Sequence, residues 1–193
     1  HISYVFSPMR YIWDQFWNYF SREKVGFLKS KIAKYISTYL RIWDIASLNR
    51  VDHFIAISEF VKSRIKRFYN RDALVIYPPV DINKYRFDSA MKKEDFYLIV
   101  SALVPYKKIE LAIRLFNKTG EKLKIIGTGP EYKKLKRMAK SNIQFLKFLS
   151  DSELKKYYRL AKAFIFPGIE DFGITIVESI ASGTPVVAYN KGG

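Results

Sequence analysis

The sequence has no cysteine among its 193 residues and only two histidines. Without cysteine there are no disulfides and no zinc or iron–sulfur sites held by thiolates, and two histidines are too few for a histidine-rich metal site. No uncharged apolar run reaches the length of a transmembrane helix. The first residues, 1–6, lack the charged segment and small-residue cleavage site of a signal peptide. The sequence therefore predicts no metal centre.

Acidic residues are scarce beside basic ones: 18 Asp and Glu stand against 34 Lys and Arg, a formal charge of +16. Such an excess is typical of proteins that meet a polyanion, whether nucleic acid, an anionic membrane surface or a phosphorylated substrate. A lysine-rich surface exposed to water fits the charge equally well, because the lysines are spread along the chain. No recognised RNA- or DNA-binding motif accompanies the charge, so we expect no nucleic-acid partner.

The second half of the sequence alternates short apolar runs with amphipathic segments. It predicts strands at 96–100, 123–126, 143–146, 163–166 and 185–188. It predicts helices at 108–118, 131–140 with Pro130 at its start, 151–161 with a cap at Ser150 or Asp151, and 174–182. This alternation indicates βαβ units and a parallel, doubly wound sheet of the α/β class. In such sheets ligands lie at the carboxyl ends of the strands, so the loops after the strands are the places to search.

The first half has fewer strands. It predicts strands at 2–6, 53–57 and 74–77, and helices at 9–20, 27–48 and 59–69, the last capped by Ser58. Three strands are too few for a doubly wound domain, so we expect residues 1–80 to be an incomplete domain of a longer chain. Two consecutive prolines stiffen the stretch 77–81. We expect a linker at 81–94 and a second domain at 95–193.

One loop joins two carboxylates to a helix start. Glu170 and Asp171 precede the predicted helix, whose free backbone N–H groups suit a phosphate. Glu178 lies in the second turn of that helix and can face the same cleft. One carboxylate would bind sugar hydroxyls and the other ribose hydroxyls. The alternative is that Glu178 is a solvated helix residue and Glu170 an ordinary loop acid.

Two further loops come directly after strands. The turn 127–130, with sequence Gly-Thr-Gly-Pro, would let a nucleotide approach the backbone closely, although an ordinary turn has the same sequence. Lys107 ends the loop after the strand at 96–100 and could reach a diphosphate. The alternative for Lys107 is an ordinary lysine at a helix start.

Together these loops resemble, in order and spacing, the donor domain of the retaining GT-B glycosyltransferases called group 1. The matching segments are 100–109, 126–130, 164–178 and 181–193. Residues 170–178 resemble the family's signature of two glutamates separated by seven residues, and 183–188 resemble the segment on the C-terminal side of that signature. The resemblance implies a Rossmann-like donor domain of the GT-B type at 95–193 and an incomplete acceptor-side domain at 1–80.

The resemblance also implies a role for each matched residue. Glu170 would contact hydroxyls of the donor sugar, and Lys107 would stabilise the diphosphate leaving group in place of a metal, so these two are the candidate catalytic residues. Glu178 would bind the ribose. The full set of candidate donor-binding residues is Gly127, Gly129, Pro130, Phe172, Gly173, Ile174, Thr175 and Glu178. No tightly bound cofactor is implied; the nucleotide sugar is the substrate.

Two positions depart from the family pattern. Ala102 stands where the family usually has an arginine five residues before the lysine, and Phe6 stands where mannosyltransferase-like members commonly have a histidine. These departures leave a second interpretation open, in which the chain is a non-catalytic nucleotide-sugar-binding module or a degenerate transferase fragment.

The resemblance is strongest to O-antigen-type mannosyltransferases, which share the Pro-Met-Arg-Tyr stretch at 8–11. This predicts GDP-mannose as donor, with a UDP-sugar as the alternative, and a glycan or lipid-linked acceptor. We expect a cytoplasmic protein whose basic, aromatic first half could lie at the inner face of the cell membrane. The alternative for that half is a packed pair of helices with a solvated lysine face.

Overall fold

The computed structural model describes residues 1–193, which divide into two compact units. The first unit comprises His1–Pro78 together with Gly192–Gly193, and the second comprises Pro79–Lys191. Residues 81–94, the expected linker, belong to the second unit, and Tyr85 is buried in its core.

The first unit contains a small parallel sheet. Its strands are β1 (Ile2–Val5), β2 (His53–Ala56) and β3 (Ala73–Val75), in the spatial order β1-β2-β3. Both pairings are parallel, with Ile2 beside His53 and Phe54 beside Ala73. The three predicted strands are confirmed, although each ends one or two residues earlier than expected.

Five helices complete the first unit: α1 (Arg10–Trp13), α2 (Phe16–Phe20), α3 (Arg22–Val25), α4 (Phe27–Ser47) and α5 (Glu59–Tyr69). The prediction of one helix at 9–20 is wrong, because Asp14 and Gln15 interrupt it. The Asp14 carboxylate lies 3.0 Å from the guanidinium of buried Arg64, and this ion pair accompanies the break. The predicted cap of α5 is confirmed: the Ser58 hydroxyl accepts a hydrogen bond from the backbone N–H of Val61.

The second unit is a doubly wound βα domain. Its elements in chain order are β4 (Tyr97–Val100), α6 (Ile109–Thr119), β5 (Leu123–Ile126), α7 (Tyr132–Met138), β6 (Ile143–Leu146), α8 (Asp151–Leu160), β7 (Ala163–Phe166), α9 (Ile174–Ala181) and β8 (Val186–Ala188). All five strands are parallel, in the order β6-β5-β4-β7-β8. The predicted doubly wound parallel sheet is therefore confirmed.

The core of this unit has one layer on each face of the sheet. Alternate side chains of β4 point to opposite faces, as the strand period of two requires. Ile99 packs in the cluster that contains Ile113 of α6, whereas Leu98 packs in the cluster that contains Tyr158 of α8. Burying both faces explains why β4 and β7, in the middle of the sheet, read as continuous apolar runs rather than alternating ones.

Two helix starts in this unit differ in how well the sequence predicts them. The predicted cap at Ser150 is confirmed, and it forms a capping box with Glu153. The prediction that Pro130 is the first residue of a helix at 131–140 is wrong: α7 has its N-cap at Glu131, so Pro130 lies before the helix. The backbone N–H of Glu131 donates a hydrogen bond to the carbonyl oxygen of Leu103. This bond connects the turn before α7 to the loop after β4.

The helices of both units share one property. None of them combines the length and the apolar character needed to span a bilayer.

Candidate functional site

The strand order of the second unit creates a switch point between β4 and β7. From β4 the chain moves outward to β5 and β6, then returns to β7 on the other side of β4 and continues to β8. The connections that leave β4 and β7 therefore run toward opposite edges of the sheet, and the crevice expected at a switch point lies at the carboxyl ends of these two strands. Open α/β sheets bind their ligands at such a point.

Lys107 and Glu170 meet in this crevice. Lys107 ends a short 3-10 turn, Pro105–Lys107, and Lys108 comes next in the left-handed conformation with φ of 52°. Glu170 lies in the loop after β7, and its carboxylate contacts the Lys107 ammonium in an ion pair. The two side chains are 12% and 23% exposed, so the pair is mostly enclosed but still open to a ligand. The ammonium also lies 5.3 Å from the ring centre of Phe166, the last residue of β7.

Gly168 allows the two loops to approach each other. A Cβ at this position would lie 2.8 Å from the Cα of Lys107 and 2.9 Å from its carbonyl oxygen. Any other residue would therefore push the β7 loop away from the backbone of Lys107. We did not predict this role from the sequence, although the Pro-Gly pair immediately after an apolar strand was the available signal.

Gly127 and Gly129 follow β5, on the other side of β4, and likewise allow two loops to approach each other closely. Their φ values are 141° and 157°, and a Cβ at either position would overlap the backbone of the β4 loop, at 2.0 Å from the Ser101 oxygen and 2.5 Å from the Leu103 oxygen. The N–H of Leu103 donates to the carbonyl of Thr128 at 2.8 Å. The predicted residues Gly127, Gly129 and Pro130 thus lie in a turn that is bonded to the loop carrying Lys107. Their contact with a nucleotide stays a prediction.

The start of α9 lies in the loop after Glu170. Gly173 is the N-cap, with φ of 84°, and its carbonyl accepts from the N–H of Ile176 at 2.9 Å. The N–H groups of Ile174 and Thr175 belong to the first turn, where no intrahelical acceptor exists. A helix N-terminus favours a negative charge. Phe172 precedes the cap, so Phe172, Gly173 and Ile174, whose backbone groups the resemblance assigns to the sugar and diphosphate, come two to four residues after Glu170. Their contact with a donor stays a prediction.

Glu178 has a different environment from Glu170. Its carboxylate accepts a hydrogen bond from the Tyr158 hydroxyl at 2.9 Å, and the ring of Tyr85 packs edge-on against the ring of Tyr158 beside it. Burial, and to a smaller extent the charge of the nearby Glu178, raises the pKa of the Tyr85 hydroxyl and of the Tyr158 hydroxyl above the ordinary value for tyrosine. The Tyr158 hydroxyl therefore keeps its proton and donates a hydrogen bond to Glu178, which orients the carboxylate. The expectation that Glu178 is merely solvated does not describe this arrangement, and neither tyrosine was predicted from the sequence.

The chain matches a known family over its second half. The family described as "Glycosyl transferases group 1" matches residues 81–193. This range contains every candidate site residue named above.

Individual relatives extend the similarity into the first half. The O-antigen chain mannosyltransferase RfbU of Salmonella typhimurium is 32% identical over 161 residues, which are 77% of this chain and 45% of that protein. A GDP-mannose-dependent α-(1-6)-phosphatidylinositol monomannoside mannosyltransferase of Mycobacterium tuberculosis is 26% identical, over 71% of this chain and 43% of that protein. The chain therefore spans a little under half the length of these relatives.

Solved structures share the fold. HepE of Anabaena, crystallised with UDP and glucose, superposes with a TM-score of 0.70 at 21% identity over 86% of this chain and 57% of that chain. WaaG, a glycosyltransferase involved in lipopolysaccharide biosynthesis, superposes with a TM-score of 0.67 at 14% identity over the whole of this chain and 57% of that chain. At these identities the likeness concerns the fold alone, and it confirms the predicted GT-B type of α/β architecture.

Proposed function

The chain belongs to the group 1 glycosyltransferases, and we propose that it transfers a hexose from a nucleoside diphosphate sugar to an acceptor hydroxyl. The observation that carries the proposal is the ion pair of Lys107 with Glu170 at the switch point. One cation and one carboxylate, both mostly enclosed, match the two chemically distinct parts of such a donor. The cation suits the diphosphate and the carboxylate suits sugar hydroxyls.

The ion pair has a defined part in the proposed reaction. A diphosphate that enters the crevice competes with Glu170 for the Lys107 ammonium, and the released carboxylate then accepts hydrogen bonds from the sugar. The N–H groups of Ile174 and Thr175 add partial positive charge near the same anion. As the bond between the anomeric carbon and the phosphate oxygen breaks, negative charge grows on the leaving diphosphate. Lys107 stabilises that charge most strongly in the transition state.

The proposed stereochemical course is the one that the family resemblance implies. The acceptor oxygen attacks the anomeric carbon on the face from which the diphosphate leaves. The acceptor proton passes to the departing phosphate oxygen, and the configuration is retained. The chain supplies no base for this step in the proposal; Glu170 binds and orients the sugar.

The donor proposed is GDP-mannose, with a UDP-sugar as the alternative. The support is that two of the relatives are named mannosyltransferases. A donor screen with GDP-mannose, UDP-glucose and UDP-GlcNAc tests this: each is incubated with the protein and a pool of lipid-linked and free glycans, and the nucleoside diphosphate released is measured with and without acceptor. We expect acceptor-dependent release from GDP-mannose. Acceptor-dependent release from a UDP-sugar alone would overturn the choice of mannose.

The acceptor proposed is a glycan or a lipid-linked sugar, reached at the inner face of the cell membrane. The Mycobacterium relative is named for a phosphatidylinositol mannoside substrate, which supports an acceptor of amphipathic character. Extraction of the products into organic solvent separates the two acceptor classes.

A second candidate function rests on the positions that depart from the family. Ala102 is exposed in the β4 loop, where it brings no cation to the crevice, and Phe6 is 62% exposed near the end of β1. On this proposal the chain binds a nucleotide sugar without transferring it. Binding of a donor with no release of nucleoside diphosphate, for any donor and acceptor in the screen, would favour this candidate over the enzyme.

A further inference from the structure

Tyr158 of α8 is a fully buried side chain whose hydroxyl has a charged partner. The side chain has no exposed surface, and its hydroxyl donates to the Oε2 atom of Glu178 at 2.9 Å. A phenylalanine would fill the same space in the core without a hydroxyl to satisfy. The hydroxyl therefore requires an explanation in terms of what the Glu178 carboxylate does.

The ring and the backbone of Tyr158 are held from several sides. The ring of Tyr85 packs edge-on against it, with ring centres 5.7 Å apart, and the ring of Phe164 lies at 5.6 Å. The backbone carbonyl of Tyr158 accepts a hydrogen bond from the Thr184 hydroxyl, which itself accepts from the Lys93 ammonium. A side chain packed in this way presents its hydroxyl in one position, which is what a positioning group requires.

Residues 81–94, which the sequence assigns to a linker, take part in this arrangement. Tyr85 is buried, 5% exposed, in the same core cluster as Tyr158. The Arg159 guanidinium of α8 donates to the backbone carbonyl of Arg86 at 3.0 Å, so the segment is fastened to the helix next to the ring contact. The segment therefore contributes to the surroundings of Glu178.

A cation close to Glu178 gives the Tyr158 bond a purpose. The Lys84 ammonium lies 2.6 Å from the carboxylate of Asp151, at the start of α8. This hydrogen bond raises the pKa of Lys84, and the charge of Glu178 raises it further, so the Glu178 carboxylate is within electrostatic reach of the ammonium. Opposite charges attract, and an unrestrained carboxylate would be drawn toward Lys84. The hydrogen bond from Tyr158 opposes that movement.

A carboxylate that binds two neighbouring hydroxyls must keep one orientation. The family resemblance assigns Glu178 to the ribose of the donor, whose two adjacent hydroxyls are both donors. A carboxylate has about four acceptor positions on its two oxygens, so the bond from Tyr158 leaves room for both hydroxyls. Hydrogen bonds to an ionised carboxylate are strong, and a carboxylate that turns away loses both of them.

We propose that Tyr158 is the positioning residue for Glu178, and that this pair makes the site selective for ribose over deoxyribose nucleotides. Tyr158 acts through the carboxylate and touches no ligand. Tyr85 supports it from the other side, because its ring fixes the ring of Tyr158. The inference rests on the proposed function, since its ligand is the nucleoside diphosphate of the donor. It adds two residues to which the family resemblance gives no role.

Two nucleotides that differ only in the ribose hydroxyls measure the effect. Isothermal titration calorimetry compares GDP with 2′,3′-dideoxy-GDP, and UDP with 2′,3′-dideoxy-UDP. We expect the native chain to bind the ribonucleotide of at least one pair about tenfold or more tightly than its dideoxy counterpart, the worth of a hydrogen bond to a charged group. Tyr158→Phe is expected to lose most of this ratio. Its affinity for the dideoxy nucleotide is expected to stay native, whereas general damage to the structure would weaken both nucleotides.

A double-mutant cycle shows whether Tyr158 acts through Glu178. Glu178→Gln removes the charge and one acceptor oxygen, so it is expected to lose the ribose preference as well. Adding Tyr158→Phe to Glu178→Gln is expected to change the ratio by less than about twofold, because residues that act as a unit are not additive. Tyr85→Leu keeps apolar bulk but removes the supporting ring, and we expect it to lower the ratio in the same direction as Tyr158→Phe.

Tyr97→Phe is the matched control. Tyr97 begins β4, at the end of the strand opposite to the crevice, and its partly buried ring packs edge-on against Phe116 with ring centres 5.1 Å apart. The change removes the same hydroxyl from a similar aromatic contact, and the variant is expected to keep the native ratio. Circular dichroism establishes that each variant is folded.

Two results would overturn the proposal while leaving the proposed function in place. One is a native chain that binds the ribonucleotide and its dideoxy counterpart equally well. The other is a native ratio in Tyr158→Phe, or an equal change of ratio with and without the Glu178 carboxylate. If Tyr158→Phe does not fold, a native ratio in Tyr85→Leu has the same meaning. A native chain that binds no nucleotide of either pair would contradict the proposed function and this inference together.

Discussion

Lys107 and Glu170 form an ion pair across the carboxyl ends of β4 and β7, although they come from loops that leave the sheet in opposite directions. Gly168 permits the contact because its missing side chain leaves room for the Lys107 backbone. In the absence of a donor, each charge has the other as partner, which limits the cost of holding two mostly enclosed charges in one crevice.

Removing the Glu170 carboxylate is expected to affect the binding of the nucleotide sugar and of the nucleoside diphosphate differently. Glu170→Ala is expected to weaken binding of the nucleotide sugar by about tenfold or more, because sugar hydroxyls lose an ionised acceptor worth about 1.5–3 kcal/mol. Binding of the nucleoside diphosphate alone is expected to stay the same or tighten, because Lys107 no longer has to leave Glu170. Isothermal titration calorimetry with both ligands measures the difference. An equal loss for both ligands would contradict the assignment of Glu170 to the sugar.

Gly168 offers a test of the geometry that does not involve charge. Gly168→Ala places a methyl group 2.8 Å from the Cα of Lys107, so we expect a loss of about 1–3 kcal/mol in the free energy of unfolding, together with weaker nucleoside diphosphate binding. Gly120→Ala is the matched control. Its φ of 77° makes alanine cost about 1–2 kcal/mol, but no atom lies within 4 Å of the added group. Urea unfolding and calorimetry of both variants separate a general loss of stability, which both share, from the loss of binding expected of Gly168→Ala alone.

The tyrosines around Glu178 predict a specific alkaline response. Burial and the nearby Glu178 raise the pKa of Tyr158 in the folded chain. In the unfolded chain the pKa of this tyrosine is 10.0, so there is a range of pH above 10 in which only the folded chain keeps the phenolic proton. The stabilisation is therefore complete below pH 10 and falls as the pH rises above it. Between pH 9 and about 11, we expect the stability of the native chain to fall more steeply than that of Tyr158→Phe.

Urea midpoints across this range provide the measurement. Tyr132→Phe is the control, since Tyr132 is only partly buried and packs its ring edge-on against Phe145. The control is expected to behave as the native chain does. Identical pH profiles for the native chain and Tyr158→Phe would show that the Tyr158 hydroxyl does not hold its proton as described.

The sequence was sufficient to predict the parallel, doubly wound sheet, because each strand of the second unit is a short, mostly apolar run between amphipathic helices. It also placed Lys107 and Glu170 in loops after strands. It could not show that the two side chains touch, since that depends on the strand order, which brings β7 back beside β4 after two intervening strands. Local patterns likewise could not link Tyr85 to Glu178, which lie far apart in the chain.

The errors in the first unit have a similar origin. The apolar spacing at 9–20 predicts one helix, but Asp14 pairs with Arg64 of α5, and this tertiary contact accompanies the break between α1 and α2. The lysines of α4 are exposed, as the alternative of a solvated lysine face expects, but large apolar side chains of the same helix are exposed as well, which the spacing alone did not predict. Periodicity shows that a helix has two faces, whereas which face is buried depends on the neighbours.

Binding of a nucleoside diphosphate by Lys107 is tested by calorimetry with GDP and UDP on the native chain, on Lys107→Ala and on Lys133→Ala, an exposed lysine at the start of α7. We expect the native chain and Lys133→Ala to bind at least one of the two nucleotides. For Lys107→Ala we expect affinity to fall by about tenfold to a hundredfold, the worth of a hydrogen bond to a charged group. No binding of either nucleotide at millimolar concentration, or equal affinity for all three proteins, would contradict a diphosphate site at Lys107.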